Sequence, residues 1–193
     1  MELHNRTVRT DVRELGALLG DVLAAQTSTD AFETVEDLRN AAIDYRRGDA
    51  TSRDPLHASV DDLSTTREGI VARAFTTYFE LINLAEERER VRAVRDTDAD
   101  GALHDSFEAT IEEFADAGVD ADELESLLAD VLIEPTFTAH PTEARRATVK
   151  SKLRSISNHL EELDEHRLSE REQNAIWRDV TAEVTSLWGT RQV

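Results

Sequence analysis

The chain has 193 residues, with 41 Asp or Glu against 22 Lys or Arg, a formal net charge of -19 and no cysteine. So acidic a surface repels nucleic-acid phosphates, and the lack of thiols excludes a disulfide framework, a cysteine nucleophile and a thiolate metal site. No apolar run approaches the ~20 residues that span a bilayer, and Met1-Glu2-Leu3-His4 lacks a basic-then-apolar leader, so the expectation is a cytoplasmic protein with neither a nucleic-acid nor a membrane partner.

Helical periodicity dominates from the start. Val8, Val12, Leu15, Leu19 and Val22 step 4-3-4-3 and predict one apolar stripe on a first helix. Asp30 with Glu33 reads as a capping pair opening a second helix that runs to about Arg47. Gly48, Ser52, Pro55 and Ser59 predict a loop over 48–59. A long helix is predicted over 66–95, with a broad apolar face of Ala74, Phe75, Tyr78, Phe79, Ile82 and Ala85. "DTDADG" (96–101) ends it. Two shorter helices fit 102–117 and 121–130, separated by Gly118.

"VLIEPTFTA" (131–139) changes character. It is short, rich in apolar and β-branched residues, and predicts a strand. Beyond it Val149, Leu153, Ile156, Leu160 and Leu163 again step 4-3-4-3. Ser169 and Glu172 then form a capping box for a last helix bearing Ile176, Val180, Val184 and Leu187. These two helices should pair as an antiparallel hairpin. The fold class is therefore mainly α, with one short strand, divided into a helical region 1–130 and a strand-plus-hairpin region 131–193. A lone strand has no partner for its backbone hydrogen bonds. The chain also runs out at Arg191-Gln192-Val193 straight from an apolar helix. The expectation is a piece of a longer protein whose other strands complete a sheet or barrel. Eight strands and eight helices need ~250 residues, more than are present.

The segment "FTAHPTEARRATV" (137–149) carries the chemistry. His140 closes the predicted strand, and Pro141 suits the first turn of a helix. Strand ends feeding helix N-termini are where barrels place catalytic groups and where free N–H groups attract anions. Residues 141–154 hold Arg145, Arg146, Lys150, Lys152 and Arg154 against Glu143 alone, a net of +4 beside -23 for the rest of the chain. At ~1.5 Å rise per residue Arg146 lies about 9 Å from His140 along a helix axis, and Arg154 about 21 Å. Arg145 or Arg146 could share a small anion with the histidine; Arg154 could not, and is expected to pair with surface carboxylates. The plainer reading makes His140 a helix cap, Lys150 and Lys152 a solvated face, Trp188 a core residue, and Glu134 and Glu143 ordinary structural choices. His4, His57, His104, His159 and His166 show no metal-ligand spacing.

Thr138-Ala139-His140-Pro141-Thr142-Glu143 resembles the "TAHPT" motif of the phosphoenolpyruvate carboxylase family of bacteria and plants. "LGALLGDVLAAQ" (15–26), "VEDLRNAA" (35–42), "RAFTTYFELINLAEERERVR" (73–92) and "LWGT" (187–190) are similar to its amino-terminal segments. Two positions depart from the family. Its arginine pair comes one residue later, so that only Arg146 coincides and Ala147 stands for the second arginine, and Arg191 replaces an acid after Trp-x-Thr.

The resemblance implies the helical amino-terminal part of an α/β-barrel enzyme that adds bicarbonate to phosphoenolpyruvate. The products are oxaloacetate and phosphate, formed through carboxyphosphate and the enolate of pyruvate. It implies His140 as the catalytic histidine, Arg146 and Arg145 as substrate-binding cations, and Mg2+ held by carboxylates outside these residues. It further implies a homotetramer under allosteric control that feeds the tricarboxylic acid cycle, and a catalytically silent fragment. Two rivals stay open at this point: a non-enzymatic acidic helical module that binds a basic partner, and a histidine phosphocarrier acting on the same substrate. Independently of family, a carboxylate-rich surface with only two lysines suits a high-salt, halophilic cytoplasm, because salt screens its self-repulsion.

Overall fold

Apolar stripes at helical spacing have to be buried against one another, and in this chain they meet in one core. A computed structural model describes residues 6–99, 106–132, 134–135, 147–165 and 167–190. Its helices are α1 (Val8–Gln26), α2 (Thr29–Arg47), α3 (Asp54–Asp61), α4 (Thr65–Ala99), α5 (Phe107–Asp116), α6 (Ala121–Ala129), α7 (Ala147–Glu165) and α8 (Glu170–Gly189). Among the described residues there is no strand, in keeping with the mainly α expectation. Two compact units result: Met1–Glu89 with Arg145–Val193, and Arg90–Ala144.

The first unit holds the core. Leu15, Leu19 and Val22 of α1 and Val35 of α2 meet Ala74, Leu81 and Leu84 of α4, Val149, Ile156 and Leu160 of α7, and Val180, Val184 and Leu187 of α8. Each of the Leu, Ile and Val side chains, fully buried, contributes about 1.5–3 kcal/mol. The predicted α7 and α8 stripes are buried as expected, and Trp188 is a core residue. The helices run antiparallel, since Lys152 and Ser155 near the start of α7 both reach Glu183 near the end of α8. Ser169 closes the predicted capping box: its hydroxyl and backbone N–H donate to Glu172 Oε2 at 2.6 and 2.8 Å. The hydroxyl contact first, then the N–H, lowers the Glu172 carboxyl below its ordinary range.

Local chemistry moves several boundaries. The cap of α2 is Ser28, whose hydroxyl accepts from the Ala31 N–H at 3.2 Å. Asp30 instead lies in the first turn and pairs with Arg67 at 3.1 Å, so the Asp30–Glu33 cap is corrected by two residues. At the other end Gly48, at φ 84, ends α2 in the left-handed conformation that costs glycine least. Within the expected loop 48–59, Pro55 sits in the first turn of α3, and its fixed φ starts a short helix with no buried residue.

The long helix α4 does not stop at Asp96 but continues to Ala99. Its buried stripe is Ala74, Thr77, Leu81, Ala85 and Arg88, while Phe79 is 58% exposed. Of the predicted apolar face, Ala74 and Ala85 are buried and Tyr78 packs against the core, whereas the Phe79 edge faces solvent and Thr77, Leu81 and Arg88 complete the buried side.

In the second unit, α5 starts at a Ser106 cap, later than predicted, and α6 at an Asp120 cap. Gly118, at φ +83, makes the turn between them. Of the predicted strand 131–139, positions 131, 132, 134 and 135 are described and are irregular; 133 and 136–139 lie outside the described residues. An isolated extended segment leaves its backbone groups without a ladder, which is the physical reason no strand forms at the described positions.

Candidate functional site

His140, Arg145 and Arg146, the site residues expected from sequence, lie outside the described residues, as do Pro141, Thr142 and Glu143. What is described is the helix that follows them. The first turn of α7 puts Val149 into the core at 1% exposure, while Lys150 stays exposed. Lys152 is not a purely solvated cation, for its Nζ lies 3.5 Å from Glu183. Arg154 is exposed and has no ion pair among the described residues, contrary to the carboxylate partner expected for it.

The C-terminal half of α7 is seated by buried charge. Arg88 of α4 donates from Nη1 to the Ser157 carbonyl at 2.9 Å and lies 3.6 Å from Asp164 Oδ2. The Arg6 backbone N–H donates to Asp164 Oδ1 at 3.0 Å, its Nε to Asp11 Oδ1 at 2.7 Å and its Nη2 to Glu14 Oε2 at 2.6 Å. Asp11 Oδ2 is 4.0 Å from Arg88 Nε, so two arginines and two aspartates interlock. The Arg6 guanidinium also lies 5.4 Å from the Trp177 ring centroid, joining α8 to the cluster. Asp11 is 0% exposed, Asp164 1% and Arg88 8%.

Sequence reasoning missed all three of those residues. A usable signal existed. Asp11 falls four residues before Leu15 and eight before Leu19, in register with the buried stripe, and Asp164 stands four after Leu160. A charge on an apolar register predicts a buried ion pair, though not its partner.

Two other features bear on ligand binding. A cavity of about 490 Å³ opens between α1, α2 and α4, walled by Val12, Leu19, Phe32, Val35 and Phe75. Its Arg39 is committed to Glu36, with Nη2 to Oε2 at 2.7 Å. That hydrogen bond raises the guanidinium above its ordinary value, partly opposed by burial. Asp21 and Glu36 are matched by Arg13 and Arg39 in its lining, so the cavity carries no net charge that would select an ion. No group of three His, Cys, Asp or Glu side chains able to hold a metal ion occurs among the described residues.

The comparisons with known proteins decide the family. The profile of the phosphoenolpyruvate carboxylase family matches residues 8–193. The chain belongs to the phosphoenolpyruvate carboxylase family.

Its relatives bear this out. The chain is 36% identical over 201 residues to the phosphoenolpyruvate carboxylase of Roseiflexus castenholzii, an alignment covering 98% of this chain and 21% of that protein. The enzyme of Thermus thermophilus is 35% identical, over 96% of this chain and 21% of the relative. That of Xanthomonas campestris is 38% identical, over 81% of this chain and 18% of the relative. The chain therefore spans about a fifth of the length of these carboxylases. No helix of the described residues is long and apolar enough to cross a membrane.

Proposed function

We propose that the longer protein to which these residues correspond is a phosphoenolpyruvate carboxylase, adding bicarbonate to phosphoenolpyruvate to give oxaloacetate and phosphate. The observation that carries this reading is the family match over 8–193, joined to likeness along nearly the whole chain. It outweighs both rivals, since neither an acidic binding module nor a phosphocarrier accounts for likeness on both sides of the histidine motif.

In this reading a bicarbonate oxygen attacks the phosphorus of phosphoenolpyruvate, and the bond from phosphorus to the enol oxygen breaks. Carboxyphosphate and the enolate of pyruvate result. His140 takes the carboxyl proton of carboxyphosphate, so that carbon dioxide and phosphate separate. The enolate carbon then attacks carbon dioxide, forming the carbon–carbon bond of oxaloacetate. Arg146, with Arg145 beside it, would hold the dianionic phosphoryl oxygens through paired N–H donors, which lysine's single point charge does less well. The division into a helical region 1–130 and a region 131–193 led by a barrel strand belongs to the same proposal.

The family likeness points to a divalent metal, magnesium in our reading. The described residues do not fit one, so its ligands are assigned to the rest of the longer protein and no step is routed through it here. A cytoplasmic homotetramer, allosteric control and a place in supplying the tricarboxylic acid cycle are likewise proposals drawn from the family resemblance.

The test is a coupled assay that reduces oxaloacetate with a dehydrogenase. The purified 193-residue chain should give no turnover with phosphoenolpyruvate, bicarbonate and magnesium, and the longer polypeptide should. Silence of the longer polypeptide would remove the functional reading. Turnover by the 193 residues alone would remove the idea that the site is completed elsewhere.

We also propose adaptation to high salt, from the net charge of -19 and the two lysines. Raising KCl from about 0.1 M to about 3 M shortens the Debye length from ~10 Å to below ~3 Å and should raise the unfolding temperature progressively. A flat or falling midpoint across that series counts against salt adaptation.

A further inference from the structure

Every long helix of the first unit buries its apolar stripe, but α5 and α6 do not. On α5, Phe107 is 94% exposed and Ile111 45%, with Phe114 completing the same i, i+4, i+7 stripe. On α6 and just beyond it, Leu127 is 53% exposed, Leu128 61%, Val131 56% and Leu132 84%. No residue from Ser106 to Leu132 is buried. Single exposed apolar side chains are ordinary, but a patterned run on two successive helices marks an interaction surface.

The charge around this run is one-sided. Residues 96–144 contain fifteen Asp or Glu and no Lys or Arg. The α6 N-terminus, which would otherwise attract an anion, is already occupied by the Asp120 carboxylate. It accepts from the N–H groups of Asp122 and Glu123 at 3.0 and 2.9 Å. Two copies of such a surface would set carboxylates against carboxylates, so a second copy of this chain is a poor occupant. An apolar centre with a cationic rim is complementary.

About four-fifths of the length of the family relatives lies outside these 193 residues. We propose that the apolar faces of α5 and α6 are an intramolecular docking surface, covered in the full-length protein by a cationic-rimmed apolar part of the polypeptide outside residues 1–193. The proposal rests on the family reading. It assigns Phe107, Ile111, Leu127 and Leu128 to an interface rather than to a solvated surface.

Hydrogen exchange followed by mass spectrometry tests it, on the 193-residue chain and on the longer polypeptide of the same gene in matched KCl buffers. The expected result is exchange of amides 108–132 slowed by about tenfold or more in the longer polypeptide. Phe107→Ser with Leu128→Ser in that polypeptide should restore fast exchange there and leave the α7 and α8 amides protected, which shows that the variant still folds. Equal rates in the two proteins, or a reading frame that closes at residue 193, would overturn the proposal. So would sedimentation showing the 193-residue chain self-associating with these amides protected. Oxaloacetate formation separates the two readings. An active polypeptide with unprotected α5 and α6 defeats only the docking proposal, and an inactive one with both protected defeats only the carboxylase assignment.

Discussion

His140→Asn in the longer polypeptide is expected to lower oxaloacetate formation by about 10²–10⁴-fold, the range a positioned acid–base group supplies. Asparagine keeps a side-chain amide near the imidazole position and still accepts and donates hydrogen bonds, so a cap or a solvated polar group would survive the change. It cannot take a proton from carboxyphosphate. The loss should therefore fall on kcat with a small effect on KM for phosphoenolpyruvate, and the unfolding temperature should match the wild type. Arg146→Lys makes the contrast. A phosphate-binding arginine replaced by a point charge should raise KM and leave more of kcat. Undiminished turnover in the asparagine variant would return His140 to a structural role.

The second large effect lies in the ion cluster that seats α7. Arg88→Ala removes the cation that bridges Asp11, Asp164 and the Ser157 carbonyl, and leaves two aspartates of 0% and 1% exposure facing the gap. Breaking a buried pair from one side costs about 3–5 kcal/mol, because the surviving charge is stranded in a poorly solvated place. Arg6 persists and softens the loss at both aspartates, holding Asp11 Oδ1 through Nε at 2.7 Å and Asp164 Oδ1 through its backbone N–H at 3.0 Å. Denaturant unfolding of the 193-residue chain measures the effect. Arg88→Ala combined with Asp164→Ala should cost less than the two single changes summed, by about 1–3 kcal/mol, since both changes remove the same ion pair. A loss below about 1 kcal/mol for Arg88→Ala would mean that water solvates the cluster, and that the α7 seat is apolar packing alone.

These two predictions concern opposite ends of one helix. The motif precedes α7, and the ion cluster grips α7 from Ser157 to Asp164. Val149, Leu153, Ile156 and Leu160 supply burial along the length between. A rigid helix so anchored fixes where its first turn begins.

Much of this was legible in the residues. The 4-3-4-3 stripes of α7 and α8 specify helix, phase and buried face together, because side-chain direction repeats every 3.6 residues. The Ser169–Glu172 box fixes a helix start through two reciprocal hydrogen bonds made within four residues. The histidine motif and its flanking segments pointed to a family that the match over 8–193 then showed. Where the reading slipped, competing local options decided. Ser28 outcompeted Asp30 as a cap, Pro55 started a helix in an expected loop, and α4 ran on through Asp96 and Asp98.

Sequence by itself determined the helical class, the phase of the apolar stripes and the family, since each depends on neighbours a few residues apart or on an ordered string of letters. The tertiary structure alone decided that Asp11, Arg88 and Asp164 are buried together, and that Phe79 and Phe107 are not. Periodicity tells which way a side chain points along its own helix. Whether another helix arrives to cover it, or an opposite charge to neutralise it, depends on residues about 75 to 150 positions away in the chain, which local pattern does not encode.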